Sequence, residues 1–131
     1  MKPPCEDIRD ILLAEGVISA GQAHLTRMPE NPDACVAILD QAGSPPDHIG
    51  GDYYRPMVQI FVRGARNAYP TTRQTAEAIH NFLHGYGPAL VNDTHYVGIW
   101  ASSDIIPLGF DSSDRPSFSL NFAVHRTERR I

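Results

Sequence analysis

The sequence predicts an α+β fold, in which a twisted, mostly antiparallel sheet of about five to seven strands carries two helices packed on one face. The first observation is a strand at 58–63, where Val58, Ile60 and Val62 make one face apolar throughout. A helix is predicted directly after it, because apolar residues of 69–86 recur every three or four positions. The last observation is a second alternating strand at Pro116–Arg126. The strands before it are joined by hairpin-length connections, so antiparallel pairing is expected.

Length and charge bound the class of protein. The 131 residues are expected to form one domain, 1–131, because a chain of this length buries roughly two-thirds of its unfolded surface. A net charge of −4 argues against a dedicated nucleic-acid binder, which normally carries a basic excess. No segment approaches the ~20 apolar residues that span a bilayer, and the N-terminus lacks the apolar core of a signal peptide. A cytoplasmic origin and no membrane contact are therefore expected.

The first third of the chain is predicted to hold one helix and two strands. The helix, Glu6–Glu15, has an apolar stripe and ends at Gly16, a residue that suits the end of a helix. Asp7 and Asp10 are predicted to face solvent, where acidic groups near the first turn favour the helix dipole. The next elements are predicted in this order: a weak strand at 22–28, a proline-containing turn at 28–33, and a strand at 34–39 that is apolar on both faces.

A long connection is predicted between 40 and 54. Its three glycines and two adjacent prolines argue against a regular element there. A connection of this length is uncommon in a compact domain unless it is functional. It ends in Tyr53 and Tyr54, and tyrosine is enriched at protein–protein contacts. We interpret the segment as an arm that contacts a partner, the alternative being a disordered tip whose tyrosines fold back onto the sheet.

The second helix has recognisable ends. Pro70 suits a first turn, and Thr71 with Gln74 forms a possible capping box, for which Asn67 is an equally good alternative cap. Gly85 provides the residue without Cβ that commonly follows a last turn. The helix is therefore expected to run from about 69 to 84.

Three shorter segments precede the last strand. Short strands are predicted at 89–91 and 95–101, and a third at 104–110 is assigned to an edge because Pro107 lacks a donor. Simple alternation places Val97 and Ile99 on one face of 95–101, and Tyr96, Gly98 and Trp100 on the other. Cys35, Phe61 and Trp100 are predicted on the sheet face that the helices leave uncovered. A partly apolar open face indicates that another subunit covers it.

The sequence offers no catalytic constellation. His80 and His84 have helical spacing but no third ligand nearby, and His24, His95 and His125 are on three different strands. These three could converge on a metal or be ordinary strand-face polar residues. We find no nucleophile, base and oxyanion donor that could act together, so no catalytic residue, no cofactor and no metal is predicted. Cys5 and Cys35 are predicted to be free thiols.

Arginine dominates the basic residues, since Lys2 is the one lysine among the 11 basic residues. Arginine is favoured where planar, multi-donor contacts form at interfaces, although codon bias in a GC-rich genome is an alternative explanation. The group Arg63, Arg66 and Arg73 could bind phosphate or could form an interfacial salt-bridge cluster. With Tyr53, Tyr54 and Arg55 it makes up the predicted subunit or partner interface.

Several local patterns together resemble a known family. They are Met-Pro-Glu-Asn-Pro-Asp at 28–33 with Val-Ala-Ile-Leu-Asp at 36–40, the segment 55–66, Gly-Ile-Trp at 98–100, Asp-Ile at 104–105, and the segment 115–126. In this order the chain resembles the minor capsid and tail terminator proteins of long-tailed bacteriophages over almost its whole length. These motifs describe strands and turns, and they carry no catalytic signature.

The resemblance implies a structural virion protein with no enzyme activity and no cofactor. It implies a ring, usually a homohexamer, that caps the tail tube and joins it to the head–tail connector protein. The implied partners are other copies of the chain, the tail tube protein and the connector protein, in the tail or neck of a virion assembled in the host cytoplasm. DNA would pass through the pore unbound, because an acidic lining repels phosphates. A head–tail connector is the alternative, and a small-molecule enzyme or binding protein is a third possibility.

Overall fold

A computed structural model of the protein describes residues 1–46 and 52–128. The described chain forms two helices and seven strands, and neither helix is long and apolar enough to cross a membrane. In chain order these are α1 (Pro4–Ala14), β1 (Ala23–Leu25), β2 (Cys35–Ser44), β3 (Tyr53–Arg63), α2 (Tyr69–Leu83), β4 (Ala89–Val91), β5 (Thr94–Ala101), β6 (Ile106–Phe110) and β7 (Pro116–Glu128).

All seven strands belong to one sheet with β7 at its centre. The strand order is β1-β2-β3-β7-β5-β4, and β6 pairs with β7 beside that path. One edge of β7 pairs with β3, and its other edge is divided between β6 at 116–119 and β5 at 122–128. β1 and β2 are parallel, and the other pairs among the described residues are antiparallel. The predicted α+β class and mostly antiparallel sheet are confirmed.

Both helices pack on the same face of the sheet and bury one apolar core there. The alternation that predicted β3 and β7 is confirmed, because Ile60, Leu120 and Phe122 are fully buried against the helices. The apolar stripes of the helices complete this core with Ile8, Ile11, Leu12, Ala76, Ile79 and Leu83. Neither of the two described helices covers the opposite face, which is called the open face below.

The predicted faces of β5 are wrong over half of the strand. The register between β5 and β7 shifts between Tyr96 and Gly98, so one extra residue interrupts the alternation. As a result Tyr96 joins Ile99 in the core, whereas Trp100 lies on the open face as predicted. A bulge of this kind leaves no trace in the pattern of apolar residues.

The connection predicted at 40–54 is also wrong at both ends, because β2 continues to Ser44 and β3 already begins at Tyr53. Residues 47–51 of the predicted arm lie outside the described residues. Gly43 does not break the strand, because it occupies a register shift that pairs Ser44 with Arg55. A Cβ atom on Gly43 would lie 1.9 Å from the Arg55 carbonyl oxygen, so glycine is needed there for close pairing.

The N-terminus of α2 is not capped as predicted. Ala68 occupies the N-cap position without a side-chain hydrogen bond, so neither Thr71 nor Asn67 caps the helix. The Thr72 hydroxyl instead donates to the Ala68 carbonyl oxygen at 2.6 Å. Gly64, at the end of β3, contacts this threonine so closely that an added Cβ would lie 1.6 Å from its Oγ1. At the other end, Gly85 has the positive φ of +82° expected of a residue that follows a helix.

The prediction that Asp7 faces solvent is wrong. Asp7 is fully buried between α1 and the sheet. The Asn92 amide donates to its Oδ1 at 2.7 Å, and the Tyr96 hydroxyl donates to its Oδ2. Arg126 Nη1 lies 3.4 Å from the same Oδ2 and donates to the Lys2 carbonyl oxygen at 2.8 Å. Burial, together with the hydrogen bond to Asp7, raises the pKa of the Tyr96 hydroxyl, so Tyr96 is a neutral donor.

Arg126, at the end of the strand predicted at Pro116–Arg126, is a buried residue of β7, which continues to Glu128. The Asp7–Arg126 pair therefore fixes α1 to the centre of the sheet.

Candidate partner-contact surfaces

Within the described residues, the strands present no acidic side chain on the open face. The registers of the sheet show which strand positions point away from the helices, and over the described residues none of these positions is Asp or Glu. Several polar side chains on this face are already hydrogen-bonded to one another. Gln41 donates to Gln59 at 2.8 Å, and Gln59 donates to the Ser119 hydroxyl at 2.9 Å. Such a face can be covered by a partner at little desolvation cost.

Four side chains form a continuous row across β3, β7 and β5, here called the aromatic ladder. The Arg55 guanidinium lies 5.1 Å from the centre of the Tyr53 ring, and the Tyr53 hydroxyl is 2.8 Å from His125 Nδ1. Trp100 then contacts His125 edge to face, with ring centroids 5.1 Å apart. The indole lies over Gly98, where an added Cβ would come within 2.3 Å of the ring. The members are Arg55, Tyr53, His125 and Trp100.

The structure separates the two tyrosines that the sequence paired. Tyr53 belongs to the open face, whereas Tyr54 points to the helix side of the sheet. There Tyr54 lines a groove of about 250 Å³ together with Pro4 and Asp40. Tyr53 and Tyr54, both predicted as interface residues, therefore lie on opposite faces of the sheet.

Arg63 is buried inside the chain and so has little surface to offer a partner. Its guanidinium donates to the carbonyl oxygens of Asp33 at 2.8 Å, Pro29 at 2.7 Å and Pro32 at 2.8 Å. This arginine therefore fastens the loop between β1 and β2 to the end of the sheet. It does not join Arg66 and Arg73 in one cluster.

Arg66 and Arg73 are closer to the surface than Arg63. Arg66 Nε donates to the Ser113 carbonyl oxygen at 2.9 Å, on the turn between β6 and β7. Arg73 pairs with Glu77 one turn further along α2, at 3.4 Å, and lies over the Phe118 ring at 5.8 Å. Both residues line the side of the sheet that carries β6.

Arg115 is a buried arginine that sequence reasoning missed. It forms ion pairs with Asp111 at 2.8 Å, Glu30 at 3.2 Å and Asp33 at 3.3 Å. Hydrogen bonds from the backbone N–H and the side chain of Arg115 hold the pKa of the Asp111 carboxyl below its usual range. With Arg63 it secures the same loop, so the two buried arginines have structural roles. Glu30 and Asp33 are more than eighty positions away from Arg115 in sequence, so no local motif marks the contact with this loop.

A second candidate surface lies along β6, where every residue is exposed. Leu108 and Phe110 are 51% and 52% exposed, and Ile106 is 40% exposed. Tyr69 at the start of α2 extends the strip, because its ring centroid lies 6.1 Å from that of Phe110. We call these four residues the apolar margin. The sequence identified β6 as an edge strand through Pro107 but missed the exposed side chains. The register shift between Pro107 and Gly109 places Ile106 on the open face and Phe110 on the helix side, so the margin lies along the edge of the sheet.

The histidines and cysteines do not form a reactive centre in the described part of the chain. His24, His95 and His125 share the open face, yet no group of three metal-ligating side chains occurs there or elsewhere in residues 1–46 and 52–128. Cys5 and Cys35 are both buried and unpaired, as predicted. Burial and the nearby Asp40 carboxylate raise the pKa of the Cys5 thiol to about 11, which lowers its reactivity.

Comparison with known proteins gives two results. A family model described as bacteriophage tail terminator protein matches residues 11–128. Among solved structures, a chain from the virion of a native gene transfer agent particle has a similar fold, with a TM-score of 0.70. The two chains are 14% identical, and the similarity covers 95% of each. No curated protein matches the sequence.

Proposed function

This chain belongs to the bacteriophage tail terminator protein family, and we propose that it forms a ring that caps the tail tube and joins it to the head connector. The family membership confirms the resemblance seen in the sequence and makes the chain a structural protein of a virion tail. The family match over residues 11–128 is the observation that carries the proposal. We propose no enzyme activity.

The described surfaces support a ring. A cyclic assembly uses a heterologous interface, which requires two different and complementary surfaces on one chain. The aromatic ladder and the apolar margin offer two different surfaces, because both are exposed enough to be covered and they lie on different strands. Large exposed apolar side chains of this kind mark interaction sites in soluble proteins.

The proposed partners are other copies of the chain in a homohexamer, the tail tube protein and the head–tail connector protein. DNA passes through the pore without specific binding. Tyr53, Tyr54, Arg55, Arg66 and Arg73 are proposed contact residues. Arg63 is left out because the loop between β1 and β2 already occupies its guanidinium.

The experiment adds the purified chain to polymerising tail tube protein from the same particle. We expect a ring at one end of each tube and an end to elongation, visible by electron microscopy as shorter tubes that stay constant in length. If tubes grow unchanged while the chain binds purified connector protein, the chain is a connector instead. Failure to bind either protein would refute the proposed function altogether.

A further inference from the structure

We propose that the groove beside Tyr54 is a binding site for a carboxylate, which pairs with the side of the Arg126 guanidinium that carries Nε and Nη2. The groove, of about 250 Å³, lies between the start of α1, the C-terminal end of β2 and the N-terminal end of β3. The ligand is an acidic side chain of a protein partner. The site follows from the contacts of this chain alone, and only the choice of partner rests on the proposed function.

Arg126 makes its hydrogen bonds through one end of the guanidinium. Nη1 donates to the Lys2 carbonyl oxygen at 2.8 Å and to the Tyr96 hydroxyl at 3.1 Å, and it lies 3.4 Å from Asp7 Oδ2. Nε is buried and has no acceptor, and Nη2 makes no hydrogen bond within residues 1–46 and 52–128. Because a buried donor without an acceptor is unfavourable, this side of Arg126 favours an incoming acceptor.

The unpaired side of Arg126 has the geometry that a carboxylate requires. The Nε–H and Nη2–H bonds of an arginine are parallel, and they match the two oxygens of a carboxylate in a bidentate pair. Arg126 lines the groove and is only 7% exposed, so its position is fixed by its surroundings. One carboxylate along this side would satisfy both donors.

Two hydroxyl groups add donors to the same groove. Tyr54 is directly opposite Arg126 in the register of β3 and β7, on the helix side of the sheet. Ser44 lines the groove from the end of β2. Within the described residues neither hydroxyl has a hydrogen-bond partner. The groove therefore presents several donors that lack acceptors.

The charges around the groove favour a ligand with a single negative charge. Arg55 and Arg126 line it together with one carboxylate, that of Asp40. Asp40 Oδ1 accepts the Cys5 backbone N–H at 2.8 Å, and no ion pair between Asp40 and Arg126 occurs in the described part of the chain. Because Asp7 already balances part of the Arg126 charge, a carboxylate fits better than a doubly charged phosphate.

NMR of the arginine Nε–H groups tests the site on the whole chain, with acetate as the probe. Acetate replaces chloride at constant ionic strength, and we expect the Arg126 resonance to shift and to saturate. The resonances of Arg63 and Arg115 are internal controls and should not move, because their Nε groups already donate to the Asp33 carbonyl oxygen and to the Asp111 carboxylate.

Two variants sharpen the titration. Arg126→Lys keeps a positive charge but lacks the bidentate pair of donors, so acetate should no longer raise its unfolding temperature. Asp40→Asn keeps an acceptor for the Cys5 N–H and removes the neighbouring negative charge, so it should bind acetate about three- to tenfold more tightly. The wild-type and Asp40→Asn titrations decide the question even if Arg126→Lys does not fold.

Three outcomes would overturn the site. An Arg126 resonance that acetate does not move, in the wild type and in Asp40→Asn, would show that nothing binds there. A response of Asp40→Asn alone would show that Asp40 itself occupies the unpaired side of Arg126. Shifts of Arg63, Arg115 and Arg126 together, without saturation, would mean an adventitious ion only.

Competition identifies the source of the natural carboxylate. Acetate and Arg126→Lys should each weaken the same contact, which is self-assembly if a neighbouring copy supplies the acidic side chain, and binding to purified tail tube protein if the tube supplies it. Acetate binding that leaves both contacts unchanged would overturn the assignment to a protein partner. A chain that binds acetate as expected but neither forms rings nor binds the tube would refute the proposed function and confirm the site.

Discussion

Replacing Asp7 with alanine is expected to lower the free energy of unfolding by roughly 3–5 kcal/mol, because it leaves the buried Arg126 guanidinium without a counter-charge. Asp7 is fully buried, and the Arg126 side chain beside it is only 8% exposed. Without the carboxylate, Arg126 retains the Lys2 carbonyl and the Tyr96 hydroxyl as acceptors but has no counter-charge. The Asn92 amide and the Tyr96 hydroxyl would also lose an acceptor.

Chemical denaturation of Asp7→Ala and Asp10→Ala measures this effect. Asp10 is on the same helix and also accepts a hydrogen bond from Asn92, at 3.0 Å, but it is half-exposed, so its loss should cost about 1 kcal/mol or less. The double variant Asp7→Leu with Arg126→Met should be more stable than Asp7→Ala, because it removes both charges together. Equal midpoints for Asp7→Ala and Asp10→Ala would mean that the buried pair contributes little.

Ile60→Ala is expected to lower the free energy of unfolding by roughly 2–5 kcal/mol, because it leaves a cavity in the core. Ile60 is fully buried between β2 and β7 and faces both helices. Gln59 points to the open face and makes two side-chain hydrogen bonds, so Gln59→Ala should cost about 1 kcal/mol in the monomer. Denaturant midpoints of the two variants provide the comparison. If the two losses are equal, the register of β3 is reversed.

The central elements could be predicted because their signals are local. β3, β7 and α2 each keep one period over many residues, and Ile60 and Phe122 lie on the faces that this period assigns to them. The bulge in β5 could not be predicted, because a single inserted residue reverses the faces without changing composition. Asp7 was misplaced for a different reason, since its partners are more than eighty positions away in sequence.

The candidate surfaces were predicted only in part. Trp100 on the open face and the edge position of β6 followed from alternation and from Pro107, and both are confirmed. The ladder as a unit could not be foreseen, because it joins side chains of three strands through contacts that exist only in the folded sheet. Arg63 was predicted at an interface, yet it is buried inside the chain. Its acceptors are backbone carbonyl oxygens, which leave no signature in the sequence.

Cryo-electron microscopy of the assembled particle tests the central claim most directly, because it locates this chain relative to the tube and the head. We expect a closed homohexameric ring of this fold at the head-proximal end of the tail tube, between the last tube ring and the connector. Density for this fold anywhere else in the particle, or the absence of such a ring from that junction, would contradict the proposed function.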